Sequence, residues 1–153
     1  MKKNKLFGLI LVSAISFLFY SCEEEDPISS NSTYGGTATS KNISKPTVSV
    51  SSRKANSAYD GWWVIAKVTT GGDDPSNVEC YLEWSKYSKK QTGSISYTNR
   101  EKMNVQSSSK SQVLFKKEHA GISSGTYIYF RLVGSNSKYT VTSNGDYMVA
   151  TKY

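Results

Sequence analysis

The chain has 153 residues, a net charge of +7, two cysteines and one histidine. So few cysteines exclude a framework of several disulfides, and one histidine without a cysteine cluster excludes an ordinary zinc site. A basic excess of this size attracts anionic glycans, lipid headgroups or nucleic acid, but no nucleic-acid-reading motif occurs, and no nucleic-acid partner is expected.

Three lysines (Lys2, Lys3 and Lys5) precede an apolar run from Leu6 to Tyr20. About 15 mostly apolar residues behind a basic start match a secretory signal. The run is too short to remain as a spanning helix, which needs about 20 residues. Ser21 then stands directly before Cys22. This boundary resembles the lipobox of bacterial lipoproteins, which implies removal of residues 1–21 and lipidation of Cys22. The physical sense is clear. Each buried methylene adds roughly 0.8 kcal/mol of membrane affinity, and two or three acyl chains anchor stably.

Glu23, Glu24, Glu25 and Asp26 follow at once. As chemistry they are a self-repelling start to a linker. They also resemble the surface-export signal of Bacteroidota-type lipoproteins. That implies an outer-membrane protein anchored through Cys22 and facing the cell surface, with the periplasmic face as the alternative. Residues 22–45 then form a tether, because "PISSNSTYGGTATSKNISK" is too poor in apolar groups to offset its ordering entropy. As a flexible coil it would hold the domain roughly 25–30 Å from its anchor.

Residues 46–153 have the length of one small domain, and their period is two. "PTVSVSS" alternates Val48 and Val50 with Thr and Ser. "WWVIAKVTT" sets Trp62, Val64, Ala66 and Val68 against Trp63, Ile65 and Lys67. "VECYLEW" sets Val78, Cys80, Leu82 and Trp84 inward against Glu79, Tyr81 and Glu83. Val113 and Phe115, then Ile128, Phe130 and Leu132, continue the pattern, and a last strand or pair breaks near Asn144-Gly145. Turn clusters at 71–75, Gly93, Ser107–Ser109, Gly121 and 123–125 separate these runs. The expectation is an all-β sandwich of about seven strands with no long helix.

"GISSGTYIYFRLVGSN" (Gly121–Asn136) resembles the approach to the sixth strand of fibronectin type III domains. Gly125-Thr126 occupy the turn, Phe130-Arg131-Leu132 the strand, and Gly134 and Asn136 the small-residue and Asn positions. "DDPSNVECYLEW" resembles the connection from their second to third strand. The resemblance implies a fibronectin type III-like, immunoglobulin-like domain.

No catalytic set emerges. His119 lies in "KKEHAG", which reads as a loop, and no G-x-S-x-G elbow accompanies it. Glu79 and Glu83 are spaced roughly 13 Å along one strand, beyond a glycosidase pair. They read as solubilising charges paired with lysines across strands. Cys80 reads as a small core hydrophobe, and Asp73-Asp74 as turn formers. No cofactor or metal is expected, and the chain reads as a non-enzyme.

What stands out is aromatic. If Ile128 and Phe130 point inward, Tyr127, Tyr129 and Arg131 line the outer face of their strand, with Tyr81 one strand away. Such a surface suits recognition of a glycan or protein partner, or it stacks across strands and shields the sheet. The leading expectation is therefore a lipid-anchored binding or accessory module. A structural subunit of an envelope assembly, joined through a sheet edge, is the alternative, and a hydrolase is the remote one.

Overall fold

The computed structural model describes residues 42–152. The signal segment, Cys22, the Glu23–Asp26 run and the tether up to Lys41 lie outside the described residues.

Among the described residues, nine strands form two antiparallel sheets packed face to face. They are β1 (Val48–Asn56), β2 (Gly61–Thr69), β3 (Glu79–Tyr87), β4 (Asn99–Lys102) and β5 (Asn104–Ser108), followed by β6 (Gln112–Ala120), β7 (Tyr127–Ser135), β8 (Thr140–Thr142) and β9 (Asp146–Val149). The first sheet runs β1-β2-β6-β5. The second runs β4-β3-β7-β8, with β9 also paired to β7. Set against β3-β7-β8, the order β1-β2-β6-β5 is that of an immunoglobulin-type sandwich. Here β4 is added on the edge of β3.

Alternation places the core. Trp62, Val64, Ala66 and Val68 of β2 face Cys80 and Leu82 of β3 and Ile128, Phe130 and Leu132 of β7, all of them buried. Val113 and Phe115 of β6 complete the layer. Between the sheets, Gly134 sits where a Cβ would come within 3.1 Å of the Val48 and Val68 side chains. A methyl there would have to push Val48 and Val68 back by a few tenths of an ångström, so this glycine lets the two sheets pack closely at that point.

Among the described residues nine strands are present where about seven were expected. The additional pair comes from "NREKMNVQSS", where the sequence shows no alternation and Ser107–Ser109 read as a turn. Met103 is the only buried residue of this segment. Its amide donates to the Cys80 carbonyl at 2.9 Å, and there the chain leaves the second sheet for the first. β4 and β5 are edge strands, and β5 is exposed throughout. An edge strand needs no apolar face, so the period-two signal is missing. The expected break near Asn144-Gly145 is present and separates β8 from β9.

Each sheet edge is blunted in one of the ways that prevent strand addition. β1 and β5 carry irregular registers, at Val50/Ser52 and Val105/Ser107. β4 has four residues and presents Arg100 and Lys102, while β8 and β9 have three and four residues.

The two ends of the sandwich differ. At the end where the described chain begins, Asn136 is buried and donates to the carbonyls of Ser44 (2.9 Å) and Thr70 (3.1 Å). Its own carbonyl accepts from the amides of Lys138 and Tyr139. Asp73 accepts from the Asp74 and Ser137 amides and from Asn77. The Ser137 bonds chiefly hold its carboxyl well below the ordinary carboxylate value. β1 then carries the chain across roughly 27 Å at strand rise to the opposite end, where a 3-10 turn at Ser57–Tyr59 leads into β2.

Candidate functional site

The predicted recognition residues do share one face. Tyr127, Tyr129 and Arg131 lie on the outer side of β7, and Tyr81 lies on the outer side of neighbouring β3. Their side chains are engaged with one another and with neighbouring residues. The Arg131 Nε donates to Glu83 at 2.6 Å, and its guanidinium lies 4.7 Å from the Tyr97 ring centroid. Arg100 donates to the other Glu83 oxygen at 2.8 Å and lies 4.8 Å from the Tyr81 ring. Glu83 faces outward yet is only 8 % exposed. The solubilising role expected of it is corrected: two guanidinium groups and the aromatic rings above them cover it. Glu79 keeps the expected lysine partner, Lys102.

The tyrosines form a second cluster. Tyr129 stacks on Tyr147 at 5.4 Å and meets Tyr87 edge-on at 5.6 Å, while Tyr127 lies 6.3 Å from Tyr147. The Gln91 amide donates to the Tyr129 hydroxyl at 2.8 Å, which leaves this ring 7 % exposed. Cross-strand stacking thus occupies much of this face. Tyr81, Tyr127 and Arg131 stay half-buried at its surface.

His119 does not lie on a loop, as the sequence suggested. It is the penultimate residue of β6, opposite Trp62 of β2, and it points between the sheets. Its ring stacks on Trp62 at 4.2 Å and tilts against Trp84 at 4.9 Å. The KKEHAG run misled because its Lys and Glu suit either a loop or the solvent face of a strand. Glu101 of β4 accepts from Trp84 Nε1 (2.9 Å) and from Lys117 (2.7 Å), and its other contact is His119 Nε2 at 3.6 Å. Burial is the main cause that lowers the His119 pKa; Glu101 opposes it, and Lys117 and Lys86 add to it. Burial pushes the Glu101 carboxyl up, but the bonds from Lys117 and Trp84 outweigh that and leave it below the ordinary value. This is a charged plug at the mouth of the core.

A different feature opens at the end of the sandwich far from Asn42. A concavity of about 430 Å3 lies on the outer face of the first sheet, lined by Lys54, Tyr59, Gly61, Trp63, Glu118 and Ala120 among others. The register explains the space. Lys54, Trp63 and Glu118 stand in one row across β1, β2 and β6, and Asn56, Gly61 and Ala120 stand in the next. Gly61 and Ala120 bring at most a methyl, so the row beside Trp63 is left unfilled.

Tyr59 rims this space and is 81 % exposed. Its turn is held firmly: Asn56 caps the Ala58 amide at 2.8 Å, and Ser57 donates to the Thr151 carbonyl. Asp60 accepts from the Gly121 amide through its carbonyl (2.7 Å) and from the Ile122 amide through its carboxylate (3.0 Å). Asp60 also has φ of 48°, a left-handed conformation that costs a non-glycine residue energy. Tyr59 is not among the residues expected to form a site. Its signal was "SAYDGWW", an aromatic before Asp-Gly with a second aromatic, Trp63, on the polar face of a strand.

Among the described residues, no group of three or more His, Cys, Asp or Glu is arranged to hold a metal ion. Cys80 is buried, as expected, and burial pushes its thiol up to about 12. Compared with known proteins, the chain matches no family model, and no curated protein or solved structure is significantly similar to it.

Proposed function

We propose that the chain is a lipid-anchored, non-enzymatic binding module, held at the outer membrane through Cys22 and facing the cell surface. Its fibronectin type III-like sandwich presents aromatic surface to a glycan or protein partner. One observation carries the reading: a rigidly held aromatic concavity lies at the opposite end of the sandwich from the point where the chain enters it. An anchor on the N-terminal side would therefore leave that end free to meet a partner.

The blunted sheet edges favour a module that recognises by its faces over a subunit that adds strands. Protease treatment of intact cells tests the display. Loss of the domain without lysis is expected, and protection until the outer membrane is broken would refute surface exposure. Affinity capture from the cell surface tests the binding role, and full-length protein that enriches neither a glycan nor an envelope protein would refute it.

A further inference from the structure

We propose that the concavity between Tyr59 and Trp63 binds a neutral sugar residue of a glycan chain, its apolar ring face stacked on the aromatics. This rests on the display reading above and deepens it by assigning site and ligand chemistry.

Three features select this ligand. The first is size, since about 430 Å3 falls within the range of roughly 300–1,000 Å3 typical of small-ligand pockets, and one or two pyranose rings fill such a space. The second is amphipathic lining. Tyr59 and Trp63 supply flat apolar area, while the Lys54 and Glu118 side chains supply a donor and an acceptor. A pyranose has the same division, with C–H groups on its faces and hydroxyls at its rim.

The third is charge. Lys116 pairs with Glu118 and also lies 5.8 Å from the Trp63 ring, and Lys54 lies 5.9 Å from the Tyr59 ring. The formal charges of Lys54 and the neighbouring Lys116 are matched by those of Glu118 and Asp60, so the site offers no excess of either sign to select a charged ligand. Lysines that already sit near the aromatic rings also disfavour a cationic ligand.

Preorganisation supports the same conclusion. An exposed tyrosine on a mobile loop would lose conformational freedom on binding. Tyr59 stands on a turn fixed by bonds from Gly121 and Ile122 and to Asn56 and Thr151, so that cost is met on folding. The left-handed Asp60 belongs to the same turn, and strain held in place by surrounding bonds is a mark of functional surfaces.

The test is calorimetric titration of the full-length protein, in a detergent without a sugar headgroup. The ligands are neutral gluco-, manno-, galacto- and xylo-oligosaccharides, with a polyuronate and a sulfated glycan as anionic comparisons. At least one neutral series should bind. Tyr59→Ala and Trp63→Ala should each weaken it about tenfold or more, and Tyr139→Ala, next to β8 of the other sheet, should leave it within about twofold. Because Trp63 also packs on the sheet, Ala120→Gln, which fills the unoccupied row at an exposed position, should block binding in a normally folded protein. Sugar binding that survives Tyr59→Ala but is lost in Tyr81→Ala overturns this site and keeps the module. Binding confined to the anionic glycans, or to none, overturns the neutral-sugar assignment. In that case capture of an envelope protein from the cell surface would still uphold the broader reading.

Discussion

Gly134→Ala tests how closely the two sheets pack. Gly134 lies in β7 with a backbone open to any residue, so the substitution carries no conformational strain. The added methyl would stand 3.1 Å from Val48 Cβ and Val68 Cγ1 and 3.2 Å from Val48 Cγ2, inside the roughly 3.5–4.0 Å optimum for carbon contacts. Overpacking of this kind costs about 1–3 kcal/mol. Loss of glycine's freedom in the unfolded chain returns about 0.4–1 kcal/mol. The net expectation is a destabilisation of about 1–2 kcal/mol, and each kcal/mol lowers Tm by about 4–8 °C in a domain of this size. Urea and thermal unfolding followed by tryptophan fluorescence would read it. The decisive arm is Val68→Ala in the same chain, because it removes one of the crowding atoms. The two changes together should cost less than their sum by about 1 kcal/mol. Strict additivity, or a Gly134→Ala protein more stable than the parent, would refute the argument.

Other consequences are as direct. Asn136→Ala should cost about 2 kcal/mol or more by urea denaturation, since it leaves the Ser44 and Thr70 carbonyls without their shared donor; a neutral effect would mean those bonds add nothing. Burial holds His119 below its ordinary value of 6.5, so above pH 6.5 both folded and unfolded chains are neutral at this group. As the pH falls below 6.5 the unfolded chain takes up the proton first, and stability drops. The depressed carboxylates Asp73, Glu79 and Glu101 act in the same direction only near and below their ordinary values of 3.8 to 4.5. His119→Phe should therefore flatten stability between pH 6.5 and 5, and an unchanged profile would contradict the assignment. Cys80, buried with its thiol held at about 12, should resist a disulfide reagent at pH 8 until urea unfolds the chain; rapid labelling of the native protein would contradict its place in the core.

What was legible in the sequence was what burial writes into it. β2, β3, β6 and β7 each turn an apolar side inward, so Trp62 to Val68 and Ile128 to Leu132 announced their strands and their inward sides. β4 and β5 bury no residue of their own, only Met103 between them, and left no pattern. The outer face of the second sheet was readable from alternation, because Tyr127, Tyr129 and Arg131 follow from Ile128 and Phe130. Its internal pairing was not, because Arg100, Tyr97 and Gln91 reach it from segments distant in sequence. His119 was misread for a related reason. Its surroundings are Trp62, Trp84 and Glu101, residues 18 or more positions away that only the register brings together. The concavity escaped notice because it is made by what Gly61 and Ala120 lack.

An acyl anchor at Cys22 underlies the proposed display, and intact mass spectrometry of the mature protein addresses it most directly. The predicted result is a chain that begins at Cys22 and carries the added mass of a thioether-linked diacylglycerol. A mature chain that retains residue 21, or one with an unmodified Cys22 thiol, would contradict it.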